Sequence, residues 1–334
     1  MRAYELRPRA EFDSLTLVER PSPPLGPSDV RVRVRTVSLN YRDLTIARNA
    51  VKRSAPVIPL SDGAGEVVEV GQAASRWKVG DRVIASFFPT WISGSLSDFH
   101  HANALGGGRD GMLAEEVALP ETAWVRLPDD LSFEEGATLP CAGLTAWNAL
   151  FESASLKPGE TVLVQGTGGV SVFALQLAKA AGARTIVTSS SEQKRRRAQE
   201  LGANHVIDYR AEPTWGKAAK AWTGDRGVDL VVEVGGPGTF DQSTAALRYG
   251  GTMSILGVLT GTSGPVNTYA IFHHALRIAG VYVGSVEMLE RFVSALTATR
   301  IRPIIDRVFG FEEVPAAYRH LASGAHFGKV VVRL

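Results

Sequence analysis

Through about residue 130, apolar positions come in short alternating runs cut by proline and glycine: LTLVERPSPPLGPSD, VRVRVRTVSL, GAGEVVEVG, GDRVIASF and LAEEVALP. Such alternation is the pattern of half-buried strands, and few segments here have helical length. The region is expected to be a barrel-like or mixed β domain. In RVRVR (Arg31–Arg35) valine alternates with arginine, which predicts a strand with its arginines in water rather than a basic binding stripe. The rhythm changes after Pro158. TVLVQG (161–166) reads as a buried strand and VSVFALQLAKAAG (170–182) as an apolar helix. TIVT is the next strand, followed by a helix through about Leu201. HVIDY, VDLVVEV and TMSILGV supply three more strands, and RIAGVYVG (277–284) is the last of the series. Strands and helices alternating at this spacing make a parallel sheet with helices on both faces. VEMLERFVSALTATR is a long amphipathic helix leading out, and KVVVRL returns to strand. The fold class is therefore α/β, a β-rich domain plus a doubly wound parallel sheet. The Gly-rich loop from about Phe87 to Gly111 gives no readable pattern.

Composition narrows the class without changing it. The chain has 334 residues, 45% apolar and 21% charged, with a net charge of +2. The length suits about two domains, and a charge near neutral gives no case for a general nucleic-acid or membrane partner. A single cysteine, Cys141, permits no intrachain disulfide and suits a reducing cytoplasm, so a cytoplasmic location is expected. MRAYELRPRAEF has no apolar signal core, and no stretch approaches the roughly 18 apolar residues of a membrane span.

The chemistry starts at QGTGGVS (165–171), between the first strand and first helix of the alternating region. Gly166, Gly168 and Ser171 fit G-x-G-x-x-G/A, with Gly169 and Val170 in the same turn. Glycines allow a tight turn and close approach of backbone to a pyrophosphate, and the helix start offers free N–H groups. The strand before, the helix after and the βαβ continuation make the motif more than a bare glycine pattern. A fold of this kind that takes NAD carries Asp or Glu at the end of its second strand, for the ribose 2′-OH. Here that tip falls near Ser189. The nearest acid, Glu192, has capping-box spacing from Ser189 and is expected to bond the helix's own N–H groups. Ser189 and Ser190 can donate to a 2′-phosphate, and Lys194 or Arg195 can neutralise it. NADP(H) is expected over NAD(H). The plainer alternative is that Lys194–Arg197 solvates an exposed helix face.

These residues lead to a family. SLNYRDL (38–44), DGAGEVVEVG (62–71), KVGDRV (78–83), LPCAGLTAW (139–147), VLVQGTGGVS (162–171), LGANHVIDY (201–209), VDLVVEVGG (228–236), GGTMSILG (250–257) and GKVVV (328–332) follow the family's order. The chain resembles the medium-chain dehydrogenase/reductase superfamily along nearly its whole length. Within it, the resemblance is to the zinc-independent quinone oxidoreductase and enoyl reductase branch. It implies a GroES-like catalytic domain (1–142 and 287–334) and a Rossmann NADP-binding domain (143–286), with the cofactor in the cleft between them. It also implies cofactor contacts at matching positions: Thr145 near the nicotinamide; Ser189, Lys194 and Tyr209 around the 2′-phosphate; Gly257, Val258, Val283, Gly284 and Ser285 along its edge; and, more loosely, Asn40 and Lys329. Tyr209 has a plainer reading as an aromatic packed at a strand end.

Zinc-dependent alcohol dehydrogenases of the superfamily hold their metal with Cys, His and Cys. The matching positions here are Asn40, Ser61 and Cys141, a poor donor set for Zn²⁺, so no metal site is expected. The pairs His100–His101 and His273–His274 read as surface or packing residues. Cys141 reads as a small buried residue. Without a Lewis acid, hydride addition to a small-molecule acceptor already activated by conjugation is easier than alcohol oxidation. Such an acceptor is a quinone or an α,β-unsaturated carbonyl. Tyr41 in LNYRD is the candidate proton donor, or else a packing residue with water as proton source. Arg42 and Asp43 read as an ion pair shaping that turn, and Trp91 as a residue of the acceptor pocket. Two rivals stand beside this reading: a zinc-free alcohol or aldehyde reductase, and a non-catalytic NADP-binding sensor, structural or RNA-binding protein. The apolar, β-branched RIAGVYVG is expected at a sheet edge, where it would pair with a second copy to give a homodimer.

Overall fold

A computed structural model of the chain describes residues 1–9 and 11–334, which divide into two compact units. The first comprises Met1–Leu144 and Val283–Leu334. In it β1 (Arg2–Leu6) and β2 (Leu15–Glu19) form an antiparallel pair. The larger sheet takes β3 (Asp29–Leu39), β4 (Asp62–Val70), β5 (Arg82–Ala85), β6 (Glu116–Pro120) and β7 (Trp124–Arg126) from the early chain. The second unit supplies six strands of its own: β8 (Thr161–Gln165), β9 (Arg184–Thr188), β10 (His205–Ile207), β11 (Val228–Glu233), β12 (Leu247–Ile255) and β13 (Arg277–Gly280). The chain then returns β14 (Ile305–Gly310) and β15 (Lys329–Arg333) to the first sheet, whose order is β14-β15-β3-β4-β5-β7 with β6 also on β3.

The longest strand shows why the pattern was readable. In β3 the side chains of Val30, Val32 and Val34 are buried, while Arg33 is exposed. Arg31 and Arg35 reach Glu69 and Glu66 on β4. These exposed pairs contribute little individually, but they let a sheet bury one face and solvate the other. The register sets Leu39 against Val330 on β15 and Ser38 against Asp62 on β4. Three strand ends therefore meet just before Asn40.

The 87–111 loop has no period because it packs by close backbone approach. Phe87 and Phe88 are fully buried, and Ser97 caps the short helix Asp98–Ala102. At Gly106, with φ +70°, a Cβ would sit 2.6 Å from the backbone nitrogen of Leu60. Only glycine meets both conditions.

The second unit, Thr145–Tyr282, is the alternating region. Its sheet order is β10-β9-β8-β11-β12-β13, with every pairing parallel. All five residues of β8 are buried, as expected of a strand covered on both faces. Strand order reverses between β8 and β11, the switch point where such sheets bind ligands at the carboxyl ends of their strands. RIAGVYVG is strand only over Arg277–Gly280, the last strand of the order. Val283 takes φ +56°, which ends the extended run. Gly143, Leu144 and Val283–Val286 group with the first unit, not with the nucleotide-type unit of the sequence reading. Gly284 lies against the Leu144 side chain, and the Val286 N–H bonds the Trp91 carbonyl at 2.9 Å. Among the described residues no helix is long and apolar enough to cross a membrane.

One buried acid ties the amino-terminal ends of the parallel strands. Asp229 on β11 accepts from the Thr161 N–H at 2.8 Å, from both Arg226 nitrogens at 3.0 and 2.7 Å, and from Arg248 Nε at 2.5 Å. Burial alone would raise this carboxyl, but the hydrogen bonds from Arg226, Arg248 and Thr161 bring it down to about 2. A depressed carboxyl contributes stability above its unfolded-state pKa and loses it as pH falls through the folded one. D229N is therefore expected to destabilise by about 2 kcal/mol at pH 7. In denaturant titrations the gap to wild type should narrow steadily below about pH 4; a gap independent of pH would refute this.

Candidate functional site

In the second unit, β8 ends at Gln165 and the chain turns at Gly166. Gly166 has φ +70° with open space where a Cβ would stand, so conformation rather than crowding selects glycine. Gly168 caps the helix Gly169–Ala180, whose leading N–H groups have no intrahelical partner. Ser171, at the third position of the motif, donates through Oγ to the Gln165 carbonyl at 2.7 Å and ties helix to strand. Val170 is half-buried on the first turn. A tight turn leading into a helix start with no side-chain cap fits a pyrophosphate.

Sequence reasoning missed the bolt behind this turn. Gln165 Nε2 donates to Glu233 Oε2 at 2.6 Å, across the switch point between β8 and β11. Glu233 also accepts from Ser243 Oγ, Thr239 Oγ1 at 2.6 Å, and the N–H groups of Gly235 and Gly236 at 2.7 and 2.9 Å. Gln165 Oε1 takes the N–H groups of Val234 and Gly235, each at 3.1 Å. The signal was a polar residue ending each of two apolar strands, TVLVQ and VDLVVE. At Gly257 a Cβ would lie 2.4 Å from the Val234 carbonyl oxygen, so the segment after β12 packs against this loop, with Val258 exposed beside it.

At the tip of β9 the structure gathers the expected hydroxyls. Ser189 is buried, bonds the Ile207 carbonyl through its N–H and accepts from the Ser191 N–H at 3.3 Å. Tyr209 Oη donates to Ser190 Oγ at 3.1 Å, which brings Tyr209 to the serines. Lys194 is half-buried in the first helical turn. Two expectations need correction. The helix starts at Glu192 with Ser191 as its cap, accepting from the Lys194 N–H at 3.4 Å. Glu192 is thus two positions too early in the helix for a capping box and instead pairs with Arg196 one turn on. Arg195 is also committed: it donates to the Ser189 carbonyl at 2.8 Å and pairs with Asp208 at 2.8 Å. Asp208, at the end of the neighbouring strand, is an acid the reading of β9 alone overlooked. Hydrogen bonds from the Arg210 and Ala211 N–H groups, with Arg195, hold its carboxyl below the usual range.

In the first unit the strand ends beyond Leu39 enclose a polar cluster. Tyr41, 45% exposed, opens the helix Tyr41–Arg48. Arg42 donates to the Leu105 carbonyl at 2.9 Å, lies 4.5 Å over the Phe87 ring and stands 3.9 Å from Asp43, so the pair does shape this turn. Asp43 accepts the Asn40 N–H at 2.7 Å. Asp62 accepts from Ser61 Oγ at 2.7 Å and from the Cys141 N–H at 3.1 Å. Lys329 Nζ donates to the Leu39 carbonyl at 2.6 Å and to Asn40 Oδ1. Burial raises the Asp62 carboxyl and lowers the Lys329 ammonium, and each charge opposes that effect on the other. Burial, and next the charge of Asp62, pushes the Cys141 thiol well above its usual range.

These groups do not fit zinc. Asn40 Oδ1 faces an ammonium and Ser61 Oγ is spent on Asp62, which leaves Cys141 as the one N- or S-type donor of the three. Among the described residues no cluster of three His, Cys, Asp or Glu side chains suits a metal. Of the remaining expected residues, Thr145 is buried in the helical turn Leu144–Trp147, between wide π-type turns at Leu139–Gly143 and Asn148–Glu152. Such turns often mark functional positions. Val283 is buried in a left-handed conformation, Gly284 packs on Leu144, and Ser285 caps the helix Val286–Thr299 by accepting from the Met288 N–H at 3.2 Å. Trp91 is buried, donates to the Gly94 carbonyl at 2.9 Å and stacks on His100.

Asp43 gives this cluster a pH signature. Burial pushes its carboxyl up to about 6, against the pull of Arg42. A raised carboxyl contributes stability fully below its unfolded-state pKa and loses it as pH rises through the folded one. D43N keeps an acceptor for the Asn40 N–H and removes the titration. The unfolding free energy of wild type minus that of D43N is expected to fall by about 3 kcal/mol between pH 4 and pH 8. Denaturant titrations at both ends of that range check it; a difference that rises with pH would count against it.

Comparison with known proteins completes the picture. The alcohol dehydrogenase GroES-like domain matches residues 26–129, and the zinc-binding dehydrogenase family matches residues 169–298. A zinc-type alcohol dehydrogenase-like protein of Schizosaccharomyces pombe is 43% identical over 332 residues, 97% of this chain and 96% of its own length. A solved NAD-dependent alcohol dehydrogenase superposes with a TM-score of 0.91 at 32% identity, covering 100% of both chains. The quinone oxidoreductase from Coxiella burnetii does so with a TM-score of 0.81 at 25% identity, covering 100% of this chain and 99% of that one. With these relatives matched end to end, the chain belongs to the medium-chain dehydrogenase/reductase superfamily and is an oxidoreductase of a nicotinamide-using kind.

Proposed function

We propose that this chain is an NADPH-dependent reductase of quinones or α,β-unsaturated carbonyls that works without a metal. The observation that carries this reading is that Asn40 Oδ1 accepts from the Lys329 ammonium and Ser61 Oγ donates to Asp62, which leaves the Cys141 thiol as the one zinc-type donor of the three. Alcohol oxidation relies on a metal to stabilise the alkoxide, whereas a conjugated acceptor needs only a hydride and a proton. Bound NADPH supplies the hydride. Gly166, Gly168, Gly169 and Val170 would hold its pyrophosphate, with the Gln165–Glu233 bolt fixing the turn. Ser189, Ser190, Tyr209 and Lys194 would hold the 2′-phosphate. The absence of a carboxylate on the β9 tip supports NADP(H), and the pairing of Asp208 with Arg195 reduces the repulsion from that acid. Thr145, Gly257, Val258, Val283, Gly284 and Ser285 would border the rest of the cofactor. Asn40 and Lys329 are bonded to each other, so their proposed part is to support the start of the Tyr41 helix. Tyr41 would donate a proton to the developing enolate or phenolate oxygen, and Trp91 would line the acceptor pocket.

A second reading, an alcohol or aldehyde reductase, is favoured by the alcohol dehydrogenase names of several relatives. We also propose a cytoplasmic homodimer. β13 ends the sheet order, and Ile278 and Tyr282 are exposed there, so a second copy can extend the sheet. Light scattering at twice the 35.8 kDa subunit mass is expected, and a single-subunit mass would refute it.

NADPH oxidation should proceed with 1,4-benzoquinone, 9,10-phenanthrenequinone and 2-alkenals, and not with simple aldehydes. Turnover of simple aldehydes alone would select the second reading. K194A should weaken NADPH binding about tenfold while leaving NADH binding unchanged. Tighter binding of NADH by wild type would overturn the cofactor assignment. Y41F should lower kcat at least about tenfold with a good acceptor, and full turnover would remove Tyr41 from the chemistry.

A further inference from the structure

The cluster beyond Leu39 contains two deeply buried carboxylates and one deeply buried ammonium. Asp62 is 0% exposed, Asp43 1% and Lys329 3%. The ammonium donates to neutral oxygens, the Leu39 carbonyl and Asn40 Oδ1, rather than closing on either acid. Asp62 in turn gathers Ser61 Oγ and the Cys141 N–H. The ammonium is thus held by two oxygen acceptors, and the Asp62 carboxylate is buried in the same cluster with its own donors. Its origin is in the register: β3 pairs with β15 and with β4, so Lys329, Asn40 and Asp62 come from three adjacent strand ends. Arg42, the other positive charge facing the cluster, is fixed from its outer side by Leu105 and the Phe87 ring.

We infer that the Lys329 ammonium is the resident cation of this site, standing in this chain where a zinc-bearing dehydrogenase would hold its metal, and that it positions Asn40 at the head of the Tyr41 helix. The two positive groups balance the two carboxylates, so a divalent ion added beside Lys329 would meet like charge in a dry interior. Removing the ammonium has the opposite effect. It leaves the Asp62 carboxylate without its counter-charge beside an amide oxygen and a thiol that a metal can deprotonate, a set that attracts a divalent cation. Lys329 is a positioning residue in this account. The inference rests on the metal-free reading of the reaction, but its test reads stability and metal uptake, so the two can fail separately.

The full-length protein is tested as wild type, K329M, D62N and K329M/D62N. K329M should lower the melting midpoint at pH 7 by roughly 5–10 °C, because it leaves Asp62 buried without its cation. Adding D62N should recover at least half of that loss. If K329M does not fold, a folded K329M/D62N carries the same conclusion; a double variant no more stable than K329M overturns it. In the second arm Co²⁺ is added to wild type, K329A and K329A/C141S. Wild type should show no thiolate-to-cobalt charge-transfer band, K329A should show one, and K329A/C141S should lose it. A band in wild type, or none in folded K329A, overturns the inference.

Discussion

The pairing of β15 with β3 is the constraint from which the rest follows. It makes the first unit discontinuous, since one strand comes from the start of the chain and its partner from the end, with residues 145–282 between them. It also sets Val330 against Leu39, which delivers Lys329 to Asn40. A slip of one residue would exchange the face of Val330 and Val332 with that of Lys329 and Val331, unseating the two valines from the core cluster they fill and carrying the ammonium to the other face of the sheet. Burial of those valines therefore enforces the placement of a charge that on its own disfavours folding. Hydrophobic packing supplies the register, and the register creates the polar cluster.

The second unit obeys a similar logic with different chemistry. Parallel strands buried on both faces leave their polar ends as the only places for charge. Asp229 anchors one end of β11 and Glu233 the other. The acid at the base is matched by arginines. The one at the switch point is matched by hydroxyls, an amide and backbone N–H groups, which satisfy a carboxylate without bringing a second charge to the place where an anionic cofactor would bind.

Period and spacing made most of the fold legible. Alternation in VRVRVR gave β3 with its inner and outer faces, and the strand–helix rhythm after Pro158 gave the parallel sheet. The glycine turn was readable because its constraint is local: Gly166 needs a positive φ whatever surrounds it. The hydroxyls of Ser189 and Ser190 were readable from their place at the tip of the second strand, and Tyr209 only by likeness to related chains. What escaped was set by register between distant strands. Nothing near Lys329 in the sequence says that it meets Asn40, and nothing near Ser189 reveals Asp208 beside Arg195. The 87–111 loop escaped because close approach of Gly106 to Leu60 leaves no periodic trace. The strand at 277–284 reads longer than it is because the β-branched Val281 and Val283 follow Gly280, where the ladder ends.

The placement of β15 inside its sheet, between β14 and β3, also sets an order of events during synthesis. A ribosome makes the whole of Thr145–Tyr282 before it makes Lys329–Arg333. The inserted unit is contiguous and can complete its core while the chain is still growing, whereas β3 must wait with one edge open for a partner translated nearly three hundred residues later. During that interval the earlier segment has its cover by β4 and β6 to keep it from pairing with strands of other nascent chains.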